Sequence, residues 1–169
     1  IEAHDRDPKA DILIIEKMPE PLRGGNSRVS GQSLLISRNV EALVEYQRAM
    51  STANPIPEDM LRAWAEQMVA LEPYIEARAR EAGVRYIHGV GWSEAKVVLE
   101  FPEMGAAAAV EHTATILPVP SGVWLAFDKC VAIRPRIRRL FECALVDLVQ
   151  DPDTLEVFGV IVEQRGQRR

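Results

Sequence analysis

The chain has 169 residues, enough for one domain with a sizeable core. Hydrophobic residues at 47% and charged residues at 27% are the proportions of a folded globular protein and exclude wholesale disorder. A formal charge of −5 gives no electrostatic case for nucleic acid, and no apolar run approaches the roughly 20 residues that cross a bilayer.

The opening residues, Ile-Glu-Ala-His-Asp-Arg, read as the last turn of a helix already under way. They contain no charged-then-apolar leader, so a cytoplasmic location is expected. Pro8 stops the helical segment near Asp7. Ile12 to Ile15 is a continuous aliphatic run, the pattern of a strand covered on both faces as in a parallel sheet. Glu16 ends it. A carboxylate there reads either as a solvated strand end or as a ligand group, and the Gly-rich loop that follows favours the ligand reading.

Pro19 and Pro21 make a stiff turn, and Gly24-Gly25 permits backbone conformations closed to other residues. Asn26, Ser27 and Ser30 add short donors and acceptors. Asn39 or Ser37 caps a helix through VEALVEYQRAMS, with Val40, Leu43, Val44 and Ala49 on its apolar face. TANPIP at 52–57 breaks it. A second helix starts near Pro57, with Glu58 and Asp59 at its positive end and Met60, Leu61, Trp64, Met68 and Leu71 in one core stripe. Pro73 kinks or restarts it, and YIEARAREAG ends at Gly83 as a C′ residue.

Strands are expected at Val84–Ile87 and in KVVLEF (96–101). Pro102 to Gly122 reads as a long irregular connection. His112 sits in it with no acidic orienter but the adjacent Glu111, and so reads as structural or solvent-exposed rather than as a general base. His4, His88 and His112 are too scattered to suggest a metal site, and Cys130 and Cys143 have no ligand spacing and read as buried thiols. Ser121 caps a helix over VWLAFDKCVA, ended near Arg134-Pro135. Arg134, Arg136, Arg138 and Arg139 form a basic cluster without interleaved aromatics, a charged rim beside a strand rather than a nucleic-acid surface. LFECALVDLVQDP and TLEVFGVIVEQRGQRR read as two strands joined at Asp151-Pro152-Asp153, and Gly166 suggests a hairpin whose returning strand is absent.

The segments ADILIIEK and RGGNS, with FECALVDLVQDPDTLEVFGVIVE near the end, resemble the FAD-binding domain of the fumarate reductase/succinate dehydrogenase flavoprotein family, closest to its tricarballylate and 3-ketosteroid dehydrogenase-like members. The resemblance spans essentially the whole chain. It implies an α/β fold: a partial FAD/NAD(P)-binding domain of the glutathione-reductase-like Rossmann type, with a helical insertion and a C-terminal β-hairpin. By position it implies Glu16 at the adenosine ribose with Lys17 beside it, and Gly24, Gly25, Asn26 and Ser27 in the loop approaching the pyrophosphate and flavin. It places Ser30, Gly31 and Gln32 close to the isoalloxazine, and the Leu145 backbone at the adenine. Gln32 departs from the family, where Gly is usual.

The G-x-G-x-x-G fingerprint is absent from the sequence, as are the capping domain and its catalytic groups, so a single incomplete domain over 1–169, truncated at both ends, is expected. On this reading FAD belongs to the complete parent, an FAD-dependent dehydrogenase or reductase acting on a C–C bond next to a carbonyl or carboxylate of a small molecule. The chain alone is expected to be inactive, with no catalytic residue and no metal ligand of its own. The alternative is a non-enzymatic α/β interaction module, associating with itself through exposed strand edges.

Overall fold

The computed structural model describes residues 1–31, 33–89 and 101–168. Backbone contacts divide the chain into two units, Ile1–Asn26 with Lys129–Arg169, and Ser27–Asp128.

In the first unit a five-residue helix α1 (Glu2–Arg6) precedes β1 (Ile12–Ile15), which pairs in parallel with β5 (Ile137–Leu140), Ile12 opposite Ile137. Burial on both faces of β1 is not what the structure shows: Leu13 is 50% exposed, because β5 alone flanks β1 among the described residues. The stretch read as one strand from Leu140 is broken at Glu142, whose φ of 53° turns the chain from β5 into β6 (Cys143–Gln150). β6 pairs antiparallel with β7 (Val157–Gln164) across the expected Asp151 turn. Asp151 Oδ1 accepts from the backbone N–H of Thr154 (2.8 Å) and Asp153 (2.9 Å), and these bonds hold its carboxyl below the usual range. The return strand thought absent begins as β8 (Gln167–Arg168): Arg165 and Gly166 both have positive φ, the requirement of a tight two-residue hairpin turn.

The basic cluster is partly internal. Arg134 is buried, donating through Nε and Nη2 to Asp5 Oδ1 at 3.1 and 2.9 Å and through Nη1 to the Cys130 carbonyl. Arg136 bonds Asp11, and Arg138 and Arg139 lie within β5 itself.

The second unit is a three-stranded antiparallel sheet with helices. Its strands are β2 (Leu34–Ile36), β3 (Arg85–His88) and β4 (His112–Leu117), in the order β2-β4-β3. The central strand β4 falls inside the segment read as irregular. Its HTATIL core is buried but carries small threonines and an alanine between prolines, so its apolar signature is weak. β2 likewise goes unannounced, and the expected strand at 96–101 lies outside the described residues save Phe101, which has a φ of 50° and opens a 3-10 turn.

Helix α2 (Val40–Met50) is capped as expected, with Asn39 Oδ1 accepting from Ala42 N, and α3 (Glu58–Val69) begins after Pro57. The break between α3 and α4 (Leu71–Ala82) falls at Ala70, and Pro73 sits in the first turn of α4, where its missing N–H costs nothing. Gly83 ends α4 in the left-handed conformation its type favours. Leu43, Val44 and Tyr46 of α2 pack with Leu61 and Ala65 of α3 and with Ala106 and Ala109 of a short helix α5 (Ala106–Ala109). Met60, expected in the core stripe, is exposed. A second cluster joins Ile75 and Ala79 of α4 to Ile116 of β4 and Ala126 of α6 (Gly122–Ala132).

The start of α6 lies directly on the end of β4. A Cβ at Gly122 would collide with the Ile116 carbonyl oxygen, a backbone atom that has no rotamer to escape into. Gly122→Ala is therefore expected to lower unfolding stability by more than about 3 kcal/mol in urea titrations; an unchanged midpoint would mean that this close approach does not exist.

Candidate functional site

Glu16 continues the β1 ladder by one step. Its N–H donates to the Leu140 carbonyl and its own carbonyl accepts from Cys143 N, both at 2.9 Å, so its side chain is placed where β1, β5 and the start of β6 meet. The carboxylate Oε1 accepts from Met18 N at 2.9 Å, and Lys17 beside it is exposed. Gly24 and Gly25 have φ of 107° and 50°, conformations that reserve these positions for glycine. Asn26 is exposed in the 3-10 turn that follows. Leu145 sits on β6 opposite Val162 and is 54% exposed. All of these belong to the first unit. Ser27, Ser30 and Gly31 belong to the second, and Gln32 lies outside the described residues.

Ser27 and Ser30 line a cavity of about 550 Å³ within the second unit, together with Leu34, Val123, Trp124 and Phe127. Ser30 Oγ donates to the Ser27 carbonyl at 3.3 Å, and the Arg28 guanidinium lies 5.3 Å from the Trp124 ring centroid. Sequence reasoning placed Trp124 and Phe127 in the helix over VWLAFDKCVA without singling them out. Their i, i+3 spacing on the first turns of α6, directly after a Ser-Gly pair, was the available signal. The volume falls within the 300–1,000 Å³ typical of small-molecule sites, and the walls are apolar with two hydroxyls, the usual recipe for such a pocket.

A second constellation forms around Glu72, which is 6% exposed on α4. Tyr86 Oη of β3 donates to Glu72 Oε1 at 2.7 Å, His112 Nε2 of β4 lies 2.9 Å from the same oxygen, and His88 Nε2 lies 3.3 Å from it. Arg38, between β2 and α2, pairs with Oε2 and also reaches Glu111 Oε2 at 3.1 Å. The Tyr86 hydrogen bond, then those of His112 and the charge of Arg38, hold the Glu72 carboxyl below its ordinary range, against burial, which acts the other way. Burial, and then the carboxylate itself, push the Tyr86 hydroxyl well above the usual tyrosine value. His112 therefore has an acidic partner after all, one that is distant in sequence. His88 and His112, read as scattered, are brought ring to ring with centroids 4.6 Å apart.

No protein-family profile and no curated protein matches the chain. Solved structures do. A 3-ketosteroid-Δ4-(5α)-dehydrogenase from Rhodococcus jostii RHA1, in complex with 4-androstene-3,17-dione, superposes with a TM-score of 0.63 at 17% identity, over 94% of this chain and 38% of that one. The FrdA chain of E. coli quinol fumarate reductase, as a point variant, gives 0.65 at 16% identity, over 95% and 26%. A 3-ketosteroid Δ1-dehydrogenase from Sterolibacterium denitrificans, in complex with 1,4-androstadiene-3,17-dione, gives 0.63 at 14% identity, over 99% and 42%. The chain shares their fold. It is a mixed arrangement of helices with parallel and antiparallel sheets, and it spans between about a quarter and two-fifths of the length of these proteins.

Chemically the two groupings differ. The cavity offers stacking surface and hydroxyls, suited to holding a planar ring. The Glu72 group offers a fixed carboxylate with four donors, suited to holding structure or charge. Glu72→Ala would leave Tyr86 Oη and His112 Nε2 without their acceptor and Arg38 with Glu111 alone, and a loss of about 2–3 kcal/mol in unfolding stability is expected. Glu58→Ala, which removes an exposed pair with Arg48, is expected to cost less than about 1 kcal/mol in the same assay. Equal losses would show that burial gives Glu72 no special weight.

Proposed function

We propose that the chain is the FAD-binding region of a flavin-dependent oxidoreductase whose substrate carries a C–C bond next to a carbonyl or carboxylate. The observation that carries this reading is the fold likeness over at least 94% of the chain to two ketosteroid dehydrogenases and a fumarate reductase chain. Ketosteroids and fumarate have that bond in common. When bound, the flavin supplies the redox chemistry, and the protein supplies binding, orientation and exclusion of water.

In the first unit, the Glu16 carboxylate takes the ribose hydroxyls of the adenosine half, with the Lys17 ammonium beside it, and the Leu145 backbone meets the adenine. Gly24, Gly25, Asn26 and Ser27 take the pyrophosphate through backbone N–H groups and short side chains. Ser30 and Gly31 face the isoalloxazine, and the Trp124 and Phe127 rings of the second unit's cavity give that flat ring system an apolar wall. The open space beside Gly25 and Gly31, where a Cβ would meet nothing within 4 Å, is compatible with such a group.

A second reading, a non-enzymatic α/β interaction module, is favoured by the β6–β7 hairpin, where Leu145, Leu148, Val157, Phe158 and Val160 are all exposed. One experiment separates the two. Glu16→Ala in the full-length protein is expected to weaken FAD affinity about tenfold, the worth of a hydrogen bond to a charged group. Flavin retained per protein through gel filtration reports it. Equal flavin content in variant and parent would remove Glu16 from the site, and a parent that takes up no FAD would favour the interaction module.

A further inference from the structure

Glu72, His88 and His112 come from α4, β3 and β4 and place one carboxylate oxygen and two imidazole nitrogens within 4.8 Å of one another. Glu72 Oε1 stands 2.9 Å from His112 Nε2 and 3.3 Å from His88 Nε2. A metal ion bonded tetrahedrally at about 2.0–2.1 Å sets its ligand atoms about 3.3 Å apart. Two of the three separations thus already stand near the spacing a metal would impose, and the two imidazole nitrogens lie within 4.8 Å of each other. We propose that Glu72 Oε1, His88 Nε2 and His112 Nε2 bind one divalent transition-metal ion of the Zn²⁺ class.

The donor set determines the class. Two imidazoles and one carboxylate suit Zn²⁺, Cu²⁺ or Ni²⁺, whereas Ca²⁺ and Mg²⁺ take oxygen ligands. Access comes from His88, whose side chain is 70% exposed while Glu72 is buried beneath it. Water in a fourth position would complete the three-ligand, one-open arrangement of two histidines and a glutamate. The neighbours supply the supporting contacts that orient metal ligands: Tyr86 Oη bonds Oε1, and Arg38 bonds Oε2. The Arg38 charge does not oppose a cation on its own, because Glu111 pairs with the same guanidinium. With Glu72 and Glu111 negative and Arg38 positive, the surroundings carry a net −1 before the metal arrives. On binding, His112 gives up its hydrogen bond to the carboxylate and His88 its close contact, and each becomes a ligand through Nε2 with its proton carried on Nδ1. The ion clips α4 to both β3 and β4, a structural role separate from any flavin chemistry.

The test is a titration of the full-length protein, first stripped with a chelator, with ZnCl₂ in competition with a fluorescent zinc indicator. One equivalent is expected to bind with micromolar or tighter affinity, and to raise the melting temperature. His88→Ala and His112→Ala are each expected to weaken binding about tenfold or more, while His4→Ala leaves it unchanged. His88 is exposed, so its variant keeps the fold, with circular dichroism as the check, and its lost affinity reads on the site alone. Co²⁺ in place of Zn²⁺ is expected to give the visible bands of a tetrahedral nitrogen–oxygen site. Absence of saturable uptake, or uptake unaltered in both histidine variants, would overturn the proposal and leave the three residues as a hydrogen-bonded group.

Discussion

A carboxylate taken out of water must be met by donors, and in the second unit almost everything near Glu72 is arranged to meet it. Tyr86 brings in β3, His112 brings in β4, and Arg38 brings in the end of β2, so one side chain on α4 is bonded to or beside every strand of the sheet. Those bonds fix how α4 lies on the sheet, and hence where Ile75 and Ala79 press against Ile116. The same apolar cluster takes in Leu34, Val123 and Phe127, three of the residues that line the cavity. Glu72, Ile75 and Ala79 share the buried face of α4, so polar satisfaction and apolar packing together set the walls of the space assigned to a ring ligand.

A dinucleotide makes two different chemical demands. A pyrophosphate is charged and wants N–H groups at close range, which only a glycine-rich backbone can offer. Gly24 and Gly25 adopt the positive φ such a loop needs. A flavin ring is flat and largely apolar, and Trp124 and Phe127 offer it surface rather than charge. The ladder bonds on either side of Glu16 fix its backbone, and the Met18 N–H holds one oxygen of its carboxylate.

How much of this was legible in the sequence depends on the range of the interaction. Signals that act over a few residues were readable: the Asn39 cap, the Gly83 helix end, the Asp151 turn, the aliphatic run of β1. Segments whose character comes from tertiary burial were not. β4 looks polar because its threonines and alanine are small, and only the sheet around it shows that they are core. The Glu72 group was invisible for a plainer reason. Its members lie 14, 34 and 40 positions from Glu72, and no periodicity links a helix residue to strands that far along the chain. The break at Glu142 was equally hidden, since an acidic residue at positive φ leaves no compositional trace.

The central claim is that this fold serves a flavin, with the ring against the wall formed by Trp124 and Phe127. Photoaffinity labelling of the flavin-free, full-length protein with 8-azido-FAD, followed by peptide mapping, tests it most directly. The account predicts covalent label on the segments 27–31 and 123–127, suppressed by excess FAD. Label confined to other segments, or no labelling that FAD suppresses, would contradict it.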